Sequence, residues 1–168
     1  MRGSETPASF TDYVHARRPA LLRTAYLLCG DLHDAEDLVQ VALTKVVPRW
    51  RRNEDDPEPY VRTVLVRENV TRHRRRRWRE VPAERVPETA SAPSEGAEDL
   101  LVLDQALRGL APRQRAVVVL RYLDDLSVEQ TAEVLGVSPG TVKSQASDAL
   151  RRLRSALPDD RTSDWTRV

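Results

Sequence analysis

The sequence predicts an all-α protein: two small helical domains joined by a flexible acidic linker, the second domain containing a helix-turn-helix. Three observations carry this. Apolar residues recur at helical spacing on both sides of the chain's middle. The middle itself, Glu80–Asp99, holds Pro82, Pro87, Pro93 and Gly96 and six acids against one base, with no long apolar pattern. Near the end, LSVEQTAEVLGVSPGTVKSQASDALRRLRSAL (Leu126–Leu157) reads as two capped helices separated by a short turn. With 168 residues, 32% of them charged, the chain suits two modest cores better than one large one. The predicted bounds are 8–79 for the first domain, 80–98 for the linker, 99–158 for the second domain and 159–168 for a short polar tail.

The first helix is expected from about Phe10 to Cys29, with Phe10, Tyr13, Val14, Leu21, Ala25 and Leu28 on one side. Pro19 predicts a kink or break near Arg17–Arg18, and Gly30 ends the helix. The second opens at Asp31 or Asp34 and carries Leu38, Val41, Ala42 and Val46. Asp34, Glu36 and Asp37 fall in its first turn, where acids favour the helix dipole. Pro48 would deprive the Thr44 carbonyl of its partner, so this helix ends or bends there. The third follows Asp56-Pro57-Glu58-Pro59 and runs from Tyr60 into the arginines. YVRTVLV is β-branched enough to pass for a strand, but the pattern continues through Asn69–Arg77 without a break.

In the second domain, Leu100, Leu103 and Leu107 mark one helix. Pro112 opens the next, which holds Val117–Tyr122 and closes near Asp124-Asp125. Ser127 and Gln130 have the spacing of a capping box. Gly136 can take the left-handed conformation that ends a helix. Ser138 caps the last helix, with Pro139 at its first position. Val142, Ala146, Ala149, Leu150 and Leu153 form one face of that helix. The opposite side of its start, Pro139, Gly140, Thr141, Lys143 and Ser144, is small, polar and once charged. Such a division suits a helix whose start enters a DNA major groove; a plain helical hairpin with a wet polar face is the alternative.

Net charge is only +1, but its distribution is uneven: Arg67–Arg79 contains seven arginines and one acid. Four consecutive arginines on a helix repel one another, and a nucleic-acid backbone is the anion that relieves this. A solvated helix end is the alternative. Trp78 could stack on a base or cap a core. Cys29, the only cysteine, reads as a small core residue. Asp34, Glu36 and Asp37 spread around their helix instead of converging on a metal, and no Cys/His spacing suggests zinc. No metal, cofactor or catalytic residue is expected. No apolar run approaches the ~18 residues of a membrane span, and MRGSETPASF lacks a signal-peptide core. The expectation is a reduced, cytoplasmic protein without a membrane partner.

Taken together these strings resemble an extracytoplasmic-function (group 4) sigma factor, the promoter-recognition subunit of bacterial RNA polymerase. RRPALLRTAYLLCGDLHDAEDLVQVALTKV and YVRTVLVRENVTRHRRRRWR look like the family's sigma-2 domain, and LAPRQRAVVVLRYLDDLSVEQTAEVLGVSPGTVKSQ looks like sigma-4. The order DAEDLVQ, basic helix, linker, GTVKS is far more specific than the helix-turn-helix alone. LLRTAYLLCGD and DDPEPYVR are closest to the actinobacterial SigE-like subgroup. The resemblance implies a sigma factor, not an enzyme, that binds core polymerase, recognises −10 and −35 elements and promotes melting. It places Asp34, Asp37, Leu38 and Gln40 on the β′ clamp helices. Asn53, Glu54, Asp55 and Asp56 would form the loop that captures a flipped −10 base. Arg62, Arg67, Asn69, Arg72, Arg75 and Arg76 would line the −10 DNA. Ser138, Pro139, Gly140, Thr141, Lys143, Ser144, Ser147 and Arg151 would read the −35 element. The implied partners are core RNA polymerase, through its β′ clamp helices and β flap, and promoter DNA, with an anti-sigma factor as a further candidate. Three residues depart from the family pattern: Arg67, where relatives often have Asn; Asp148, where a base is common; and Pro48, which would shift Trp50 and the loop after it.

Overall fold

The computed structural model describes residues 9–52, 56–78 and 97–156. Its order is α1 (Phe10–Cys29), α2 (Leu32–Val46), a 3-10 segment (Val47–Arg52), α3 (Glu58–Trp78), α4 (Ala97–Arg108), α5 (Pro112–Val118), a π-helical segment (Val119–Leu123), α6 (Val128–Leu135) and α7 (Pro139–Ala156). The described residues contain no strand. The chain groups into two compact units, Met1–Arg72 and His73–Val168. That division falls inside α3, earlier than residue 79. Among the positions of this helix whose burial is described, Asn69 is the last buried one; Arg74–Arg76 and Trp78 beyond it are exposed. Most of the expected linker lies outside the described residues, although its end already belongs to α4.

In the first unit Ser9 caps α1, its hydroxyl accepting from the Asp12 amide at 3.1 Å. The helix then runs through Pro19 without a break, contrary to the expected interruption. His15, whose carbonyl Pro19 cannot serve, is exposed, so water can satisfy it, while Leu21, Ala25 and Leu28 hold the next turns in the core. Gly30 closes the helix at φ 75°. Asp31 caps α2 by accepting from the Asp34 amide at 2.8 Å. Pro48 does end α2, in the tighter 3-10 turn. That turn places Trp50 in the core, 5.1 Å from both Phe10 (edge-on) and Tyr13. Such pairs add roughly 0.5–1.5 kcal/mol each beyond their buried area. YVRTVLV is helical, with Val61 and Leu65 buried against α1 and α2 residues and Val66 also buried. Cys29 is buried, as its apolar setting predicts, and its thiol donates to Asn69 Oδ1 at 3.6 Å.

The second unit is built around α7. Val117, Ala132, Val142 and Ala146 make a core that Val128, Leu135 and Val137 flank. Asp104 in α4 and Arg115 in α5, both buried, meet at 2.8 Å. The same carboxylate accepts from Arg108 at 2.8 Å. After α5 the helix widens to π geometry; Asp124 N–H donates to Val119 O at 3.0 Å, and Asp125 turns the chain at φ 53°. The Arg121 guanidinium donates to the Leu126 carbonyl across this turn.

Candidate nucleic-acid interface

The helix-turn-helix forms by the capping chemistry its sequence spells. Ser127 Oγ accepts from Gln130 N–H at 3.0 Å while Gln130 Oε1 accepts from Ser127 N–H at 2.8 Å. Gly136 takes φ 65°, which ends α6 at no side-chain cost. Ser138 Oγ then accepts from the Thr141 amide at 3.1 Å and lies 2.9 Å from Thr141 Oγ1. Val142, Ala146, Ala149 and Leu153 are buried, and Leu150 half-buried, along one side of α7. Ser138, Pro139, Gly140, Lys143, Ser144, Ser147 and Arg151 are exposed and Thr141 is half-buried. Arg151 is paired with Asp148 at 3.2 Å. α7 therefore divides into a packed side and a polar side whose N-terminal turn is small enough for close approach to DNA.

In the first unit, α2 and α3 carry the other expected residues. Asp37 and Gln40 are exposed and Asp34 is half-buried. Leu38 is 0% exposed and belongs to the core stripe Ala35–Leu38–Val39–Ala42–Val46, so it presents no docking surface. Asn69 is likewise 3% exposed, turned to Cys29, and cannot line DNA. Arg67, Arg75 and Arg76 are exposed on α3. Arg72 is half-buried, its guanidinium donating to the Asp37 carboxylate and to the Asp34 carbonyl, the latter at 3.3 Å. Asp56 is exposed; Asn53, Glu54 and Asp55 lie outside the described residues.

Glu58, which no motif singled out, organises the start of α3. Its carboxylate accepts from Tyr13 Oη at 2.7 Å and from Arg17 Nε and Nη2 at 3.0 and 2.7 Å. Arg62 stands 3.6 Å away, so this expected DNA contact is oriented by an acid. Burial alone would raise the Glu58 pKa, but the Arg17 and Tyr13 hydrogen bonds and the charges of Arg17 and Arg62 hold it below the usual carboxylate range. Burial, and then the bond to Glu58, push the Tyr13 phenol up. The Arg17 guanidinium is held charged chiefly by its bond to Glu58.

Of Trp50, Tyr60 and Trp78, the aromatics that flank residues 53–56 in the sequence or follow on α3, Trp50 is committed to the core. Tyr60 is half-buried, its hydroxyl accepting from Arg49 at 3.2 Å. Trp78 is 84% exposed and caps no core. Among the described residues no group of His, Cys, Asp or Glu is placed to hold a metal ion, and no helix is long and apolar enough to cross a membrane.

The sequence matches known families on both sides of the linker. Residues 13–79 match the family described as Sigma-70 region 2, and residues 100–153 match Sigma-70, region 4. The chain is 43% identical over 152 residues to the RNA polymerase sigma-E factor of Streptomyces coelicolor, covering 88% of this chain and 85% of that one. It is 32% identical over 154 residues to the ECF RNA polymerase sigma factor SigL of Mycobacterium tuberculosis, covering 83% of each. The solved structure of the sigma factor RpoE in complex with the anti-sigma factor NepR, from Bartonella quintana, matches with a TM-score of 0.74 at 30% identity. That match covers 90% of this chain and 98% of RpoE. Together with the two helical units and the split α7, these matches define a promoter-recognising factor of transcription initiation. The chain belongs to the extracytoplasmic-function (ECF) family of RNA polymerase sigma factors.

Proposed function

We propose that residues 8–79 dock on core polymerase and engage the −10 element, that residues 99–158 read the −35 element, and that 80–98 link the two. The observation that carries this reading is the division of α7: Val142, Ala146 and Ala149 are buried, while Lys143, Ser144 and Ser147 are exposed beside them. The N-terminal turn, Ser138 to Thr141, approaches the bases, Lys143 and Ser144 read their edges, and Ser147 and Arg151 meet the backbone. On the first unit, Asp34, Asp37 and Gln40 meet the clamp helices of β′, and the β flap receives the second unit. Arg62, Arg67, Arg72, Arg75 and Arg76 line the −10 DNA, and Asp56, with Asn53, Glu54 and Asp55, holds an extruded base.

Melting by this route is strand capture, a binding step that needs no catalytic residue or cofactor. With Trp50 buried and Tyr60 half-buried, the exposed Trp78 is the one of these three aromatics left free to stack on a base, so stacking supplies little of it. Opening then depends on a good match at both elements. The chain acts in the cytoplasm on the polymerase itself, and the RpoE–NepR complex supports an anti-sigma factor as a regulatory partner. Native-gel titration against purified core RNA polymerase tests the docking half: a stoichiometric complex is expected, lost on Asp37→Arg with the fold unchanged by circular dichroism. Undiminished co-migration of that variant rules out Asp37 as a docking residue.

A further inference from the structure

The two binding faces of the first unit share an ion pair. Asp37, on the exposed side of α2, is held by the Arg72 guanidinium from α3, which also donates to the carbonyl of Asp34 at 3.3 Å. The Asp37 side chain is 55% exposed and that of Arg72 24%. Both are reachable by a macromolecule, yet while paired each offers a partner less than its full charge. A second bridge, Lys45 to Glu68, joins the same two helices further along, so the helices stay stitched when the first opens.

We propose that Asp37 and Arg72 form a latch that couples polymerase docking to promoter binding. This rests on the reading of Asp37 as a docking residue and Arg72 as a DNA residue. In the free protein each neutralises the other. A cationic polymerase surface that captures Asp37 releases Arg72 toward phosphate. A phosphate that captures Arg72 releases Asp37 toward the polymerase. Because linkage is reciprocal, the two events favour each other by one and the same factor. The latch thus keeps the free factor a poor DNA binder and tightens it once it is part of the holoenzyme. The pair is partly exposed, so the coupling is modest, roughly twofold to fivefold.

The test uses the full chain, a labelled single-stranded DNA of random sequence and purified core RNA polymerase. Asp37→Asn should weaken core binding and tighten DNA binding by the free protein roughly twofold to fivefold. Arg72→Gln should do the reverse, weakening DNA binding and tightening core binding by a similar factor. In the double variant neither gain should survive relative to the matching single loss. If DNA binding still tightens when Asp37→Asn is placed on Arg72→Gln, the gain is general charge removal and the latch is wrong. If both losses occur without the gains, the latch fails and the assigned roles stand. If neither loss occurs, the assigned roles themselves fail. Thermal melting checks the fold, and Arg72→Lys replaces Arg72→Gln should the latter unfold; lacking the planar fork, it should give smaller shifts of the same sign.

Discussion

Asp148 and Arg151 pair one turn apart on α7, Oδ1 to Nη2 at 3.2 Å, on the helix that carries Lys143 and Ser144. The side chains are 47% and 74% exposed, so the pair adds little stability. Its effect is electrostatic: a carboxylate beside a proposed backbone contact repels phosphate and occupies the arginine. Asp148→Asn should leave the melting temperature unchanged and tighten binding of duplex −35 DNA by roughly twofold to tenfold at low salt, with a salt slope steeper by about one contact. A salt titration by fluorescence anisotropy measures both. Unchanged affinity and slope would mean that Arg151 meets no phosphate.

The Glu58 cluster makes the first unit sensitive to acid. Glu58 has its folded-state pKa below its ordinary value of about 4.5, so its contribution to stability is complete above that value. The contribution is lost as pH falls through the lower, folded-state pKa. Tyr13 has the opposite sign: its pKa is raised, so its contribution is complete below pH 10.0 and lost as pH climbs beyond. Thermal melts from neutral pH to about pH 3 should show Glu58→Gln less stable at neutral pH and flatter in acid than the parent. Parallel curves would remove Glu58 from the account.

In the second unit, Asp104 and Arg115 are 3% and 6% exposed and joined at 2.8 Å. Removing one member of a buried pair costs about 3–5 kcal/mol, whereas replacing both by apolar groups can be nearly neutral. Asp104→Ala should therefore destabilise strongly in urea denaturation, and Asp104→Ala with Arg115→Met should recover most of the loss. A double variant as unstable as the single one contradicts this view of α4 and α5.

Leu38 and its neighbour Asp37 should separate stability from docking. Leu38 is fully buried, so Leu38→Ala should cost about 2–5 kcal/mol through transfer and cavity terms. The fraction of this variant that remains folded should bind core polymerase with parental affinity. Weakened binding by the folded protein would return Leu38 to the docking surface.

The helices were legible because caps and apolar spacing act locally. Ser127 with Gln130, Gly136, Ser138 and Pro139 set α6 and α7 whatever surrounds them. The exceptions have different physical causes. Pro19 predicts a break that packing on both sides of it overrides. The family resemblance assigns Leu38 and Asn69 to binding surfaces, whereas helical spacing places them inside, in step with Ala35 and Ala42 and with Val61 and Leu65. Glu58 with Tyr13 and Arg17, 45 and 41 residues distant, and Arg72 with Asp37, 35 residues distant, depend on tertiary packing that no string in the sequence announces.

Run-off transcription with purified core polymerase, on templates whose −10 and −35 elements are replaced singly and together, measures the bipartite reading most directly. Transcription should require the added chain and fall on replacing either element. Lys143→Ala should lower the yield from the intact promoter and lose nothing further where the −35 element is already replaced. A chain that yields no transcript on any template offered, or a Lys143→Ala variant that loses as much without the −35 element as with it, would contradict the account.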